Sequence, residues 1–186
     1  MKNPTIVGHS FGGMVSLATA EKYSEDMSSL ILVDFVVRKP ENHYEWYEHM
    51  SPAAPPKYRD TKEELIQRFR LMPPQECENQ FLVDYIAKWS IKEVENGFQW
   101  KFDDTIFDKL GVSHMGRNIA FDLKCNLGII YGTESLMMTD EILDFIKENV
   151  PQNTPIIPVD GAAHHVPLDQ PQELVKSIKL IAKDWM

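Results

Sequence analysis

Three things are scarce in this sequence of 186 residues: cysteine, positive charge and long apolar runs. Its two cysteines, Cys77 and Cys125, are too few for a disulfide framework, so a reducing, cytoplasmic setting is expected. Nineteen Lys and Arg stand against 28 Asp and Glu, giving a formal net charge of −9. A nucleic-acid binder concentrates basic residues to meet phosphates, so no nucleic-acid partner is expected. No stretch reaches the roughly 18 consecutive apolar residues that a membrane-spanning helix needs. No Lys/Arg-then-apolar pattern opens the chain either, so neither a membrane span nor a secretory leader is expected. What is present, 43% hydrophobic and 25% charged positions, is the balance of a globular domain that buries one core.

Short apolar runs mark the strands. Pro4-Thr5-Ile6-Val7-Gly8 reads as a buried strand, and Met14 to Ala20 as a helix of small and apolar residues ending near Tyr23. Leu30-Ile31-Leu32-Val33 is a second strand, closed by Asp34. Leu127 to Tyr131 is a third, stopping at Gly132, and Thr154 to Val159 a fourth. Helical spacing follows the last two, in Ile142, Leu143, Phe145 and Ile146, then in Leu174, Val175, Ile178, Ile181, Ala182 and Trp185. Strands without polar alternation, interleaved with helices, predict a parallel sheet covered on both faces, an α/β fold.

Residues 36–124 break this rhythm. Pro52, Pro55-Pro56 and Pro73-Pro74 delimit short helices. Leu65, Ile66, Phe69 and Met72 are expected on one helical face, and Phe81, Tyr85 and Trp89 on another. Asn96-Gly97 before Phe98 to Phe102 predicts a turn into a short strand or an extended segment. The segment therefore reads as a helical subdomain inserted between two strands of a main sheet formed by residues 1–35 and 125–186. Over residues 39–104 it carries 9 basic against 13 acidic residues, so it is no basic docking surface. Its aromatic positions are expected to pack as core before they serve as a cofactor box.

Chemistry concentrates at Gly8-His9-Ser10-Phe11-Gly12, between strand and helix. A serine on so sharp a turn is held out at the carboxyl edge of the sheet, where small residues two before and two after let strand and helix backbones approach. The helix start then points N–H groups to where an oxyanion would develop. A serine hydroxyl needs a general base and an acid to orient that base. His164, in Gly161-Ala162-Ala163-His164-His165-Val166-Pro167 after the fourth strand, is the first choice for the base, with His165 next. His9, beside the serine, is expected to pack or hydrogen-bond locally. For the acid two positions stand open: Asp34 ending the second strand, and Glu134 after the third, with Asp140 one helical turn beyond.

These pieces resemble the α/β-hydrolase superfamily, from its nucleophile strand to its last helix. The resemblance rests on Gly8-His9-Ser10-Phe11-Gly12-Gly13, on Gly161 to His164, and on Leu168-Asp169-Gln170-Pro171, with serine, acid and histidine in that family's order. It implies a partial α/β-hydrolase fold, mostly parallel, with residues 36–124 as a helical cap insertion. Many members carry the acid in a Gly-x-x-Asp pattern after the strand that follows the cap. Here Ser135 holds that position and cannot serve. Haloalkane-dehalogenase-like members place a carboxylate after the preceding strand, as Leu32-Val33-Asp34-Phe35 does, which ranks Asp34 above Glu134. Against the family pattern the earlier strands and the loop giving a second oxyanion N–H are expected to be missing, about a hundred residues at roughly 30 per strand-helix unit. That leaves the Phe11 backbone N–H as the oxyanion donor, and an apolar sheet edge on the nucleophile strand.

The resemblance implies a serine esterase-like hydrolase with a catalytic triad of Ser10, Asp34 and His164, acting on a small apolar ester through an acyl-enzyme, with no cofactor. A different class stands beside it: a truncated, non-catalytic ligand-binding or interaction module. His43, Glu45, Glu48 and His49 match no zinc spacing, so no metal is expected.

Overall fold

Four consecutive apolar residues in Ser29–Val33 leave neither face of that strand fit for water, and the strand lies inside a sheet with all five residues buried. The computed structural model describes residues 3–36, 58–103, 121–183 and 185. In chain order its elements are β1 (Thr5–His9), α1 (Phe11–Tyr23), β2 (Ser29–Val33), α2 (Lys62–Ile66), α3 (Gln80–Trp89), β3 (Ile91–Val94), β4 (Gly97–Trp100), β5 (Asn126–Gly132), α4 (Asp140–Asn149), β6 (Ile156–Val159), α5 (Val166–Asp169) and α6 (Pro171–Ala182). They divide between two compact units, Met1–Pro40 with Asn118–Met186, and Glu41–Arg117.

The first unit is built on one parallel sheet with strand order β1-β2-β5-β6. Alternate residues of β2 serve opposite faces. Leu30 and Leu32 join Leu17 and Ala20 of α1 and Ile142, Leu143 and Ile146 of α4. Ile31 and Val33 join Val159, Val166, Leu174 and Ile181 on the other face, against α6. Helices thus cover both faces, as the unbroken apolar runs predicted. Thr139 caps α4, its hydroxyl accepting from the Ile142 N–H at 3.4 Å. The fourth strand begins at Ile156, later than expected, because Pro155 has no N–H with which to extend the ladder. Pro158 is tolerated within β6 because, among the described residues, that strand pairs only with β5. Among the described residues β1 also has a neighbour on one side only, and Val7 in it is 43% exposed.

In the second unit the described residues form α2, α3 and an antiparallel hairpin of β3 and β4. Two expectations are corrected there. Leu65 and Ile66 lie in α2, but the helix ends before Phe69 and Met72. The Arg68 and Phe69 amides donate to Leu65 and Ile66, tight turns that stop the helical rise. Phe69 packs its ring 5.6 Å from Trp100 instead, and Met72 is 76% exposed. Phe81, Tyr85 and Trp89 do share one side of α3, yet they are 58–68% exposed, and it is Val83 and Ala87 that are buried. The stripe is therefore no core of this unit. His43, Glu45, Glu48 and His49, like Pro52 and Pro55-Pro56, lie outside the described residues. Among the described residues no helix is long and apolar enough to cross a membrane.

Candidate active site

Ser10 sits where β1 gives way to α1, with φ 50 and ψ −120, outside both the helical and extended regions. Its N–H donates to the Val33 carbonyl at 3.1 Å, and its own carbonyl accepts from Gly13 and Met14 to start the helix. The close approach behind this turn falls at Gly8. A Cβ there would lie 2.6 Å from Ser16 Oγ, 2.7 Å from the Gly12 carbonyl oxygen and 2.8 Å from Gly13 Cα. The symmetrical expectation for Gly12 is corrected: a Cβ on it would meet nothing within 4 Å among the described residues. Gly13 is the second tight position, packed against the Phe35 ring. Phe11, the first residue of α1, places its backbone N–H at the positive end of the helix, beside Ser10.

One strand over, Asp34 follows β2 with φ 43, a left-handed conformation that Asp adopts more readily than most residues. Its N–H donates to the Ile130 carbonyl at 2.8 Å, which fixes the turn to β5. The side chain is fully buried and accepts three hydrogen bonds. Oδ2 takes the Gly132 N–H at 2.9 Å, while Oδ1 takes the Ser135 hydroxyl and His164 Nδ1, each at 2.7 Å. A buried carboxylate is costly unless its oxygens are met in this way.

His164 lies in the turn between β6 and α5, 3% exposed. The turn is tied to the end of β5. The Glu134 N–H donates to Ala162 O at 2.9 Å and the Gly161 N–H to Thr133 Oγ1 at 3.1 Å. A methyl group at Gly132 would collide with the Ala162 and Ala163 carbonyl oxygens. From the far side, Asp169 Oδ2 accepts the Ala163 N–H at 2.9 Å. So braced, the ring spans two partners, Asp34 at Nδ1 and Ser10 Oγ at Nε2, the latter at 2.8 Å. A carboxylate has no proton to give, so Nδ1 donates to Asp34, and Nε2 is left to accept from the serine hydroxyl. No described buried side-chain polar atom lacks a hydrogen-bond partner.

Of the residues singled out in the sequence, Ser10, Asp34 and His164 are brought into one line. Glu134 and Asp140 are not: both are exposed, Glu134 in the turn after β5 and Asp140 at the start of α4. His165 occupies the position just before α5, its ring 5.1 Å from that of His164. Burial pushes the His9 imidazole below its ordinary pKa, partly offset by a hydrogen bond to the His164 carbonyl and by the Asp34 charge. Three contributors were given no supporting role in the sequence: the Gly132 N–H, Asp169, and Ser135, which was set aside as unable to serve as the acid. Ser135 left a signal, since it stands three residues after the glycine that ends β5.

Residues 2–71 match the family profile described as "alpha/beta hydrolase fold". A comparison with curated protein sequences finds no match. Solved structures similar to this chain include E-2-(acetamidomethylene)succinate hydrolase, at 17% identity and TM-score 0.72, with 98% of this chain and 67% of that one covered. An esterase from Mycobacterium tuberculosis is similar at 18% identity and TM-score 0.70, covering 97% and 60%. The thioesterase domain of the curacin biosynthetic pathway is similar at 17% identity and TM-score 0.67, covering 95% and 66%. This chain thus spans 60–67% of the length of these three chains. With a parallel sheet flanked by helices, a family profile matched over residues 2–71 and these shared folds, the chain has the α/β-hydrolase fold.

Proposed function

We propose that the chain is a serine hydrolase that cleaves a carboxylic ester, or a related acyl bond, of a small apolar substrate. The observation that carries this reading is the unbroken line Ser10 Oγ, His164 Nε2, His164 Nδ1, Asp34 Oδ1, with links of 2.8 and 2.7 Å. Ser10 Oγ attacks the acyl carbonyl while His164 Nε2 takes the hydroxyl proton, and Asp34 holds the ring and balances the imidazolium. The carbonyl oxygen gathers negative charge against the Phe11 N–H at the start of α1. His164 then gives its proton to the leaving alcohol oxygen, and an acyl-enzyme remains on Ser10. Water enters and attacks the acyl carbon while losing a proton to the same Nε2, and His164 returns that proton to Ser10 Oγ as the acid leaves. Nothing in this sequence of steps calls for a cofactor. Similarity to structures named as an esterase, a thioesterase and a hydrolase agrees with acyl-bond chemistry. Within the second unit the exposed Phe81, Tyr85 and Trp89 offer the kind of surface that apolar groups bind.

The test is labelling by a fluorophosphonate probe, run beside p-nitrophenyl ester hydrolysis. The parent chain takes up the probe and Ser10→Ala does not, with turnover falling by about 10⁴-fold or more. Equal labelling of parent and variant overturns the assignment of Ser10. A chain that neither labels nor turns over ester leaves a non-catalytic ligand-binding module in place of an enzyme.

A further inference from the structure

His9 ends β1, one residue before Ser10, and its Nε2 lies 2.8 Å from the main-chain oxygen of His164, 155 residues along the chain. A carbonyl oxygen only accepts, so His9 Nε2 bears the proton and donates it. The His9 and His164 rings lie 5.0 Å apart, tilted by 42°. This contact holds the backbone of His164, whereas Ser10 reaches the ring alone. Resting on the reading of Ser10 as nucleophile, we propose that His9 is a positioning residue that keeps His164 in place while Ser10 carries the acyl group.

The need for such a brace follows from the chemistry. Once Oγ is esterified it has no proton to donate, and the Ser10–His164 hydrogen bond is gone. In that interval Asp34 still meets Nδ1, and from the β1 side the His9 bond still ties the serine strand to the backbone of the histidine turn. Water must be met by Nε2 at the place where the hydroxyl stood, and a misplacement of about 1 Å can cost about 10²-fold in rate. A neutral His9 suits the task. The titratable groups that face it are His164, Asp34 and, at 5.7 Å between rings, His165. Burial keeps His9 uncharged, so no second cation stands beside His164 when that ring takes its proton.

His9→Phe keeps a ring and removes the donor, and His9→Gln returns an N–H donor near the position of Nε2. With p-nitrophenyl acetate in stopped flow, the burst reads acylation and the steady state reads deacylation. His9→Phe slows deacylation at least about tenfold more than acylation, and His9→Gln restores the parent ratio. Equal slowing of both steps, or a Gln variant no better than Phe, overturns the proposal, melting curves having shown that both variants fold. ¹⁵N NMR of the parent gives a second reading that needs no turnover: His9 is the Nε2–H tautomer, and an Nδ1–H tautomer overturns the brace. A parent chain that fails to label or turn over strikes the hydrolase reading itself. The acyl-enzyme role then falls with it, and the tautomer alone decides the brace.

Discussion

Ser10 stands at the N-cap of α1 yet gives its hydroxyl to His164 and not to the helix. A serine there normally accepts from an amide of the first turn, a bond worth about 0.5–2 kcal/mol. Its positive φ adds strain of about 1–3 kcal/mol, and Asp34 on the next strand carries the same kind of strain. Two adjacent strand ends thus hold unfavourable backbone conformations, and both aim a side chain at one imidazole. Ser135 secures that arrangement from behind. Its hydroxyl is one of three donors to a fully buried carboxylate, so Ser135→Ala leaves Asp34 with two. Loss of a hydrogen bond to a charged group is worth about 1.5–3 kcal/mol. Ser135→Ala is therefore expected to lower the urea midpoint by an equivalent amount, with Ser135→Thr, which keeps the hydroxyl, closer to the parent. An unchanged midpoint in the Ala variant would show that the hydroxyl contributes nothing to stability.

At the scale of elements, the tight strand-to-helix turn separates two glycines that look alike in the sequence. Gly8→Ala would push a methyl into Ser16, Gly12 and Gly13, two of them through backbone atoms that cannot swing aside. Overpacking of that kind costs about 1–3 kcal/mol or more. Gly12→Ala meets open space in the first turn of α1, where alanine is favoured over glycine by up to about 1 kcal/mol. Thermal melts of the pair should therefore move in opposite directions, and a stabilised Gly8→Ala would refute the packing argument. The same contrast shows what the sequence can and cannot disclose. The strands were legible because β2 and β5 are buried on both faces, which writes an unbroken apolar run into the chain. Ser10 and His164 were legible because each sits in a local pattern after a strand. Phe69 and Met72 misled, because helical spacing continues past the residue where the α2 hydrogen bonds stop. The Gly132 N–H was invisible for a simpler reason: a backbone donor has no letter of its own.

For the whole molecule, the neutral His9 ties stability to pH. In the unfolded chain this imidazole takes up a proton as pH falls through about 6.5, while burial holds the folded one below that value. Across that window the unfolded state binds more protons, so stability rises with pH and is lost as pH falls. Urea midpoints should drop below about pH 6.5 in the parent and drop less in His9→Gln, which has nothing to titrate. An identical pH dependence in the two would remove His9 as its source. The long reach of the site has another consequence. His164 meets Asp34 across 130 residues and Ser10 across 154, and Ser135 and Gly132 reach Asp34 across 101 and 98. Contacts this distant along the chain form late, after the cost of closing large loops has been met. No single hairpin or strand-helix unit can hold the serine and the imidazole together. On the proposed hydrolase reading, Ser10 therefore gains its base only in the state where the turn after β6 has docked.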